Sequence, residues 1–444
     1  MTRLDRNGTL HGSHSRRRTS GTASHAPYLS HRPARLKASM SSSSEHLARD
    51  SGPGGWLIFS FAVACGVTVA NIYYAQPLVG PISESFGLDL SSAGIMLTMV
   101  MFGYVLGLLF LVPLGDLVEN KRLILITLGS LIVSLLIAAA APTAAIFIAS
   151  TLLLGIAAVG TQMILPVVAH LAPEQRRGQI VGTVMSGLLF GILLSRPLAT
   201  MVAGSFGWRA VFVMSAVLMC GVFALMVIAL PRRQPKHELT YATLIHSLWD
   251  LMLTTRVLQQ RSAYQCLLYG SFSLFWTAMP LVLDQPPFSF GHIAMSAFLL
   301  SGAGGALVAP LAGRLADRGR GDLVTVTAML LVLVSFVLTW IGGHTGGATA
   351  VTLFVIAGIL IDAGTQGNVV AGQRAIYALA GNIRSRLNAL FLACAFFGGA
   401  IGSGFSGFAV ASGGTSMIAL IGIGASLIAL ALFGLEVASR KKVA

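Results

Sequence analysis

Residues 121–141 read KRLILITLGSLIVSLLIAAAA: Lys121 and Arg122, then nineteen consecutive positions without a charge. A helix rises about 1.5 Å per residue, so roughly 20 such residues cross a hydrocarbon core of about 30 Å. Lipid offers the backbone no hydrogen bonds, so a segment this apolar must bond within itself, as a helix. The same pattern, a polar break and then a long apolar run, recurs along the chain. Twelve runs are long enough to cross, and they define spans 1 to 12: 56–79, 92–114, 122–141, 144–170, 179–203, 208–230, 262–283, 293–313, 323–342, 348–372, 386–410 and 416–436. The sequence lacks the alternating ten-residue strands of a membrane barrel. The predicted fold class is an all-α polytopic membrane protein, its twelve transmembrane helices arranged as two six-helix bundles.

Composition agrees. Of 444 residues 55% are hydrophobic and 10% charged, 50 are glycine, and the mean hydropathy is +0.80. A soluble domain carries about a quarter charged residues, so a soluble enzyme, a disordered chain and a disulfide scaffold are excluded together. The formal charge of +14 does not indicate nucleic acid, because the basic residues fall in short runs between apolar stretches. They sort by side of the membrane instead. With the N-terminus inside, 27 of the 29 Lys/Arg fall on one side, leaving Arg209 outside and Arg196 within a span. The positive-inside rule then predicts a multi-pass protein of the cell inner membrane with both termini cytoplasmic. Cys65, Cys220, Cys266 and Cys394 sit singly in apolar stretches, a pattern that provides neither a metal site nor a disulfide framework.

Four regions follow. Residues 1–50, with nine Lys/Arg, five His and the run Ser41 to Ser44, are expected to form a disordered basic cytosolic tail and not a signal peptide. Residues 51–230 hold the first six spans, 231–261 a cytosolic linker, and 262–444 the last six. Within the linker Tyr241, Leu244, Ile245, Leu248, Leu251 and Met252 recur at helical spacing, which predicts an amphipathic helix on the inner membrane surface that tethers the halves.

The halves repeat one another. Pro113-Leu-Gly-Asp116 after span 2 has a counterpart in Gly313-Arg-Leu-Ala-Asp317-Arg318 after span 8, the aspartates 201 residues apart, and Thr161-Gln162 matches Thr365-Gln366 at 204. An arginine pair follows each (Arg176 and Arg177; Arg384 and Arg386), then a glycine-rich span (Gly187 and Gly191; Gly398, Gly399 and Gly402). Such parallel six-helix repeats are a secondary-transporter architecture.

Over residues 56–436 the chain resembles the major facilitator superfamily. That family's loop signature, Gly-x-Leu-Ala-Asp-Arg and then basic residues, is met by Gly313, Leu315, Ala316, Asp317, Arg318 and Arg320. The first copy keeps Leu114, Asp116, Lys121 and Arg122 but has Val112 for the glycine and Leu117 for the arginine. Asn71-Ile-Tyr-Tyr-Ala-Gln-Pro77, the glycines of 182–191 and Gly207-Trp-Arg209 are similar to a bacterial branch of the drug:proton antiporter-like group. The chain departs from that group at Thr151, where the group has an arginine, and at Arg196-Pro197, where it has Gly-Pro. The resemblance implies a central cavity lined by spans 1, 4, 7 and 10. It also implies a cytosolic gate held by Asp116, Lys121, Arg122, Gly313, Asp317 and Arg318.

Two residues carry charge deep in a span. Asp362 lies mid-way along span 10, where a charged carboxylate costs ~2.5–3.5 kcal/mol even on the lenient insertion scale, and such a residue reads as a proton carrier or as a packing aspartate. Arg196 in span 5 keeps its charge and needs a carboxylate, helix-end carbonyls or an anionic substrate; Asp362 is the expected partner, with snorkelling to the interface as the alternative. Asp362, Gln366 and Gln373 share one stripe of span 10. By the resemblance, Asn71, Tyr74 and Gln76 of span 1, Gln162 of span 4, and Gln366 and Gln373 are the substrate-cavity candidates.

No P-loop, paired intramembrane acids, Ser/His arrangement or metal cluster is present in the sequence, so the chain is not expected to be an enzyme or to hold a cofactor. The expected function is secondary active transport of a small organic solute, as proton-coupled efflux by a monomer in a lipid bilayer. Proton-coupled uptake, facilitated diffusion and a transporter-like sensor without flux are the alternatives.

Overall fold

A computed structural model describes residues 53–232, 240–379 and 383–443. The basic tail at 1–50 and linker residues 233–239 lie outside the described residues. Every regular element among the described residues is helical. Nine helices among the described residues are long and apolar enough to cross a membrane. One of them, Arg384–Val443, holds both span 11 and span 12: at Gly414 the backbone turns to φ 55°, ψ −135°, where a side chain would be strained. Spans 1 and 8 complete the twelve, each in two pieces. Span 1 runs as Gly55–Ala70, five turn residues, a 3-10 turn Gln76–Leu78, and Val79–Phe86. Span 8 runs as His292–Leu300 and Ala303–Asp317, broken at Ser301 and Gly302.

Most predicted boundaries match within a few residues; span 7 differs. It begins at Arg256 and not at 262, so the linker is shorter and Arg261 is a buried arginine within the span 7 helix. The cause is pairing. Arg261 is 6% exposed, donates to Thr325 Oγ1 at 2.9 Å, and lies 3.4 Å from Asp322 and 3.7 Å from Glu436. A charge compensated from spans 9 and 12 is tolerated where a count of uncharged residues in span 7 alone would stop. The linker itself forms the helix Tyr241–Thr254, capped by the Thr240 hydroxyl. Its Leu248 is buried in a cluster with Leu258, Ile376, Leu387 and Phe391, which docks the helix on spans 7, 10 and 11.

The repeat is also a packing repeat. A Cβ on Gly191 would strike the backbone of Gly66, and one on Gly402 would strike the backbone of Gly270. These crossings join span 1 to span 5 and span 7 to span 11, at equivalent places in the two halves. Apolar lipid gives helices no hydrophobic reason to associate, so backbone proximity through small residues and the dispersion it allows hold such pairs together.

The ends differ. One carries the loops with Lys121, Arg176, Arg314 and Arg384, and is called the basic end below. The contacts that join the two bundles cluster from mid-membrane towards the opposite end. Tyr73 bonds Tyr269 (2.7 Å), Thr98 donates to the Ala400 carbonyl (2.9 Å), Ser296 donates to the Pro197 carbonyl (3.2 Å), and Met101 accepts from Ser273 (3.3 Å). Gly204 lies against His292 there, where any Cβ would collide with the ring.

Candidate functional site

The break in span 1 sets one side of the site. At Asn71 the ladder tightens to bonds three residues apart, Asn71 N to the Thr68 carbonyl (3.4 Å) and Ile72 N to that of Val69 (3.1 Å), and the Asn71 side chain caps the end: its Nδ2 donates to the carbonyls of Val67 (2.8 Å) and Thr68 (3.2 Å), while its Oδ1 accepts from Ser215 of span 6. Tyr73 and Gln76, on the displaced stretch, then face span 5. Arg196 of that span is 2% exposed. Its Nε donates to Gln76 Oε1 at 2.7 Å, and its Cζ lies 5.2 Å from the ring centres of Tyr73 and Phe272 and 4.7 Å from that of Trp276. Three aromatic faces take the place of water around a guanidinium.

The break in span 8 sets the other side. Asp362 is 5% exposed and accepts a hydrogen bond from the Trp276 indole, Nε1 to Oδ2, at 2.7 Å. Span 8 reaches this aspartate only because Gly302 and Gly305 have no side chain. A Cβ on Gly305 would stand 2.7 Å from Asp362 Cβ. One on Gly302 would stand 3.2 Å from the Trp276 ring, 3.3 Å from Asp362 Oδ2 and 3.4 Å from Arg196 Nη1. The two charges, one from each bundle, therefore converge on a single glycine. They do not form a direct ion pair; Trp276 touches both, bonded to the acid through its edge and facing the arginine with its ring.

The other predicted positions are distributed as follows. Tyr74 is 3% exposed beside the span 1 break. Gln162 donates to Tyr104 Oη at 3.2 Å, and the Tyr104 ring packs on Phe396 of the other bundle at 4.4 Å. Gln366 is half-buried on span 10. Gln373 donates to Asn388 of span 11 at 2.9 Å, so it ties spans 10 and 11 together at the basic end. In the loop signatures Asp317 pairs with Arg374, and Lys121 donates to the Val227 carbonyl of span 6 at 2.6 Å. Asp116 and Gly313 are half-buried near the same end, and Arg122 and Arg318 are exposed.

Sequence reading missed Tyr269, Phe272 and Trp276. Their spacing of three and four, one face of span 7, was the available signal. It also missed a buried amide pair, Asn368 Nδ2 to Gln265 Oε1 at 2.7 Å, which joins spans 10 and 7 below the site and leaves Asn368 Oδ1 and Gln265 Nε2 without partners.

Comparison with known proteins places this geometry in context. The sequence pattern of the Major Facilitator Superfamily matches residues 57–243 and 262–444. The chain is 38% identical over 378 residues to the uncharacterized transporter YgaY of Escherichia coli O157:H7, covering 84% of this chain and 94% of that one. It is 23% identical over 377 residues to a probable sugar efflux transporter of Helicobacter acinonychis, covering 85% and 94%. In three dimensions it is similar to the crystal structure of a peptide transporter, POT, in complex with alafosfalin, with a TM-score of 0.69 at 16% identity over 87% of this chain and 94% of that one.

Proposed function

The chain belongs to the major facilitator superfamily and is a membrane transporter, and from that premise we propose that it moves a small organic solute by alternating access, coupled to protons at Asp362. The observation that carries the proposal is the convergence of Arg196 and Asp362, from opposite bundles, on Trp276 and Gly302. A proton on Asp362 removes one charge of the two and so changes how strongly the bundles hold together. Rocking then follows from a local electrostatic event at a bistable interface.

The basic loops lie on the cytoplasmic side in this reading, with 27 of 29 Lys/Arg there, and the protein works as a monomer in the inner membrane. The contacts joining the bundles away from that side then correspond to a conformation closed to the outside. Asp116, Lys121, Arg122, Gly313, Asp317 and Arg318 form the inner gate, which closes when the bundles rock the other way. Tyr74, Gln76, Gln162 and Gln366 border the solute path. Asn71 acts through the broken helix it caps and Gln373 through its tie to span 11.

Export in exchange for protons is the leading direction, supported by the efflux named for the Helicobacter relative. One proton crossing 100 mV supplies about 2.3 kcal/mol, enough to drive useful exchange. Proton-coupled uptake is the second reading, and the absence of a direct carboxylate partner for Arg196 favours it, as developed below. The test is growth of an expressing strain on a panel of toxic compounds, then flux of any hit in proteoliposomes with and without a pH gradient. Flux that ignores the gradient in both directions refutes proton coupling.

A further inference from the structure

We propose that the solute carries an anionic headgroup, a carboxylate, received by Nη2 of Arg196 and Nε2 of Gln76. The inference rests on the second reading above, proton-coupled uptake, and names the substrate class of that site.

The starting observation is an imbalance of donors. Arg196 is charged at every accessible pH and is 2% exposed, yet it makes one hydrogen bond, from Nε to Gln76 Oε1. Its Nη2 has no partner. Gln76 is fully buried and its Nε2 also has no partner. One arginine–glutamine bond thus leaves two neighbouring donors unused in an apolar setting, where each unmet group is costly. Three ring faces, which offer no acceptor lone pair, cover the guanidinium, and Asp362 faces its Nη1 above Gly302 without bonding it.

Three solute classes can be ranked on this. A cation meets Arg196 at close range and is repelled. A neutral polyol brings hydroxyl protons that need acceptors, and the arginine–glutamine edge has none free. A carboxylate brings acceptors only, satisfies both donors, and supplies the counter-charge that no protein side chain supplies directly. Gln76 borders a cavity of about 250 Å³ at the end away from the basic loops, which Thr200, Asp284 and His292 also line.

Charge balance links this anion to the proton. Asp362 faces the same point above Gly302 as Arg196, so a bound carboxylate and an ionised Asp362 repel each other across that point. The bound anion and a proton on Asp362 therefore favour one another and travel in the same direction.

The experiment uses the full-length protein in detergent, with benzoate and its neutral amide benzamide as the probe pair, followed by larger aromatic carboxylates against their amides. Two quantities are read: the thermal melting temperature, and proton uptake from a weakly buffered solution containing a pH dye. The expected result is that carboxylates raise the melting temperature, the matched amides do not, and each bound carboxylate draws in a proton. Arg196→Gln and Gln76→Leu should bind carboxylates on the order of 10 to 100-fold more weakly. Equal stabilisation by acid and amide, or by none of the carboxylates, overturns the proposal, and neither outcome depends on a variant folding. The two readings also separate. Carboxylate binding without proton uptake leaves the anion site standing and removes the coupling at Asp362, whereas gradient-driven flux lost in Asp362→Asn with no carboxylate binding does the reverse.

Discussion

Trp276 connects two charges that do not touch: its indole donates to Asp362 at 2.7 Å, and its ring centre lies 4.7 Å from the guanidinium carbon of Arg196. The hydrogen bond holds the carboxylate in place on the C-terminal bundle. The ring takes up the guanidinium from the N-terminal bundle, a contact of ~0.5–2 kcal/mol depending on desolvation. A change of charge at either residue is therefore felt across the bundle interface through one side chain of span 7.

Trp276→Phe keeps an aromatic face for Arg196 and removes the donor to Asp362. A hydrogen bond to a charged group contributes about 1.5–3 kcal/mol, so stability in detergent should fall by that order. The pH-gradient dependence of flux should shrink more than solute affinity does. Flux measured at several gradients alongside binding checks this, and an unchanged gradient dependence would remove Trp276 from the coupling.

Asp362→Asn should abolish gradient-driven transport while leaving solute exchange without a gradient. The amide has nearly the shape of the acid and its Oδ1 can still accept from Trp276, but it carries no titratable proton. The variant should still express, fold and insert, with a melting temperature lowered because Arg196 loses the charge that faces it above Gly302. Full gradient-driven flux in this variant would exclude Asp362 as the proton carrier.

The spans were legible because lipid imposes a simple rule on the sequence, about twenty residues without charge. The rule fails where the protein itself provides the missing partner. Arg261 extends span 7 into a stretch read as linker because Asp322 and Glu436 come from spans 9 and 12, far away in sequence. The breaks in spans 1 and 8 were illegible for the same reason: Asn71 stood out as a polar residue for the cavity and not as a helix cap, Gly302 looks ordinary within an apolar run, and only the neighbours they meet give them these roles. Arg196 and Asp362 could be singled out because an uncompensated charge in a span is conspicuous. Trp276, an apolar residue in an apolar run, carried no such mark.

The Arg261 cluster gives a stability prediction away from the site. Glu436 is 5% exposed and accepts from Tyr264 and Arg440 while lying 3.7 Å from Arg261. Glu436→Gln leaves two arginines sharing Asp322, which is half exposed. Removing one partner of a buried pair costs about 3–5 kcal/mol, and the exposed side of this cluster places the loss at the lower end. A lower melting temperature with unchanged gradient dependence of the remaining flux is expected; altered coupling would show that the cluster belongs to the mechanism.

The glycine crossings separate packing from propensity. Gly402→Ala and Gly191→Ala place a methyl against a backbone, at Gly270 and Gly66, and should destabilise by roughly 1–3 kcal/mol as overpacked sites do. Gly182→Ala and Gly424→Ala meet nothing within 4 Å and should be neutral or stabilising, by up to about 1 kcal/mol of helix propensity. Melting temperatures of the four variants provide the comparison, and equal losses in both pairs would mean that the crossings are loose.

The last prediction concerns the coupling of Arg196 with Asp362. Each is buried, and each single change strands the other charge: Arg196→Gln leaves Asp362 with its indole bond alone, and Asp362→Asn leaves Arg196 with Gln76 and three rings. Changing both removes the stranded charge, so the double variant should lose less stability than the two single losses together. The interaction energy for residues sharing a partner is typically ~0.5–3 kcal/mol. Because the two do not pair directly, much of this energy should pass through Trp276. Repeating the cycle in Trp276→Phe, where the ring remains and the indole proton is gone, should therefore return a smaller interaction energy. Melting temperatures in detergent, converted to free energies at a common temperature, give both cycles. Additive losses in the first cycle would show that the charges are independent. An equal interaction energy in both cycles would show that they act through space above Gly302 and not through the tryptophan.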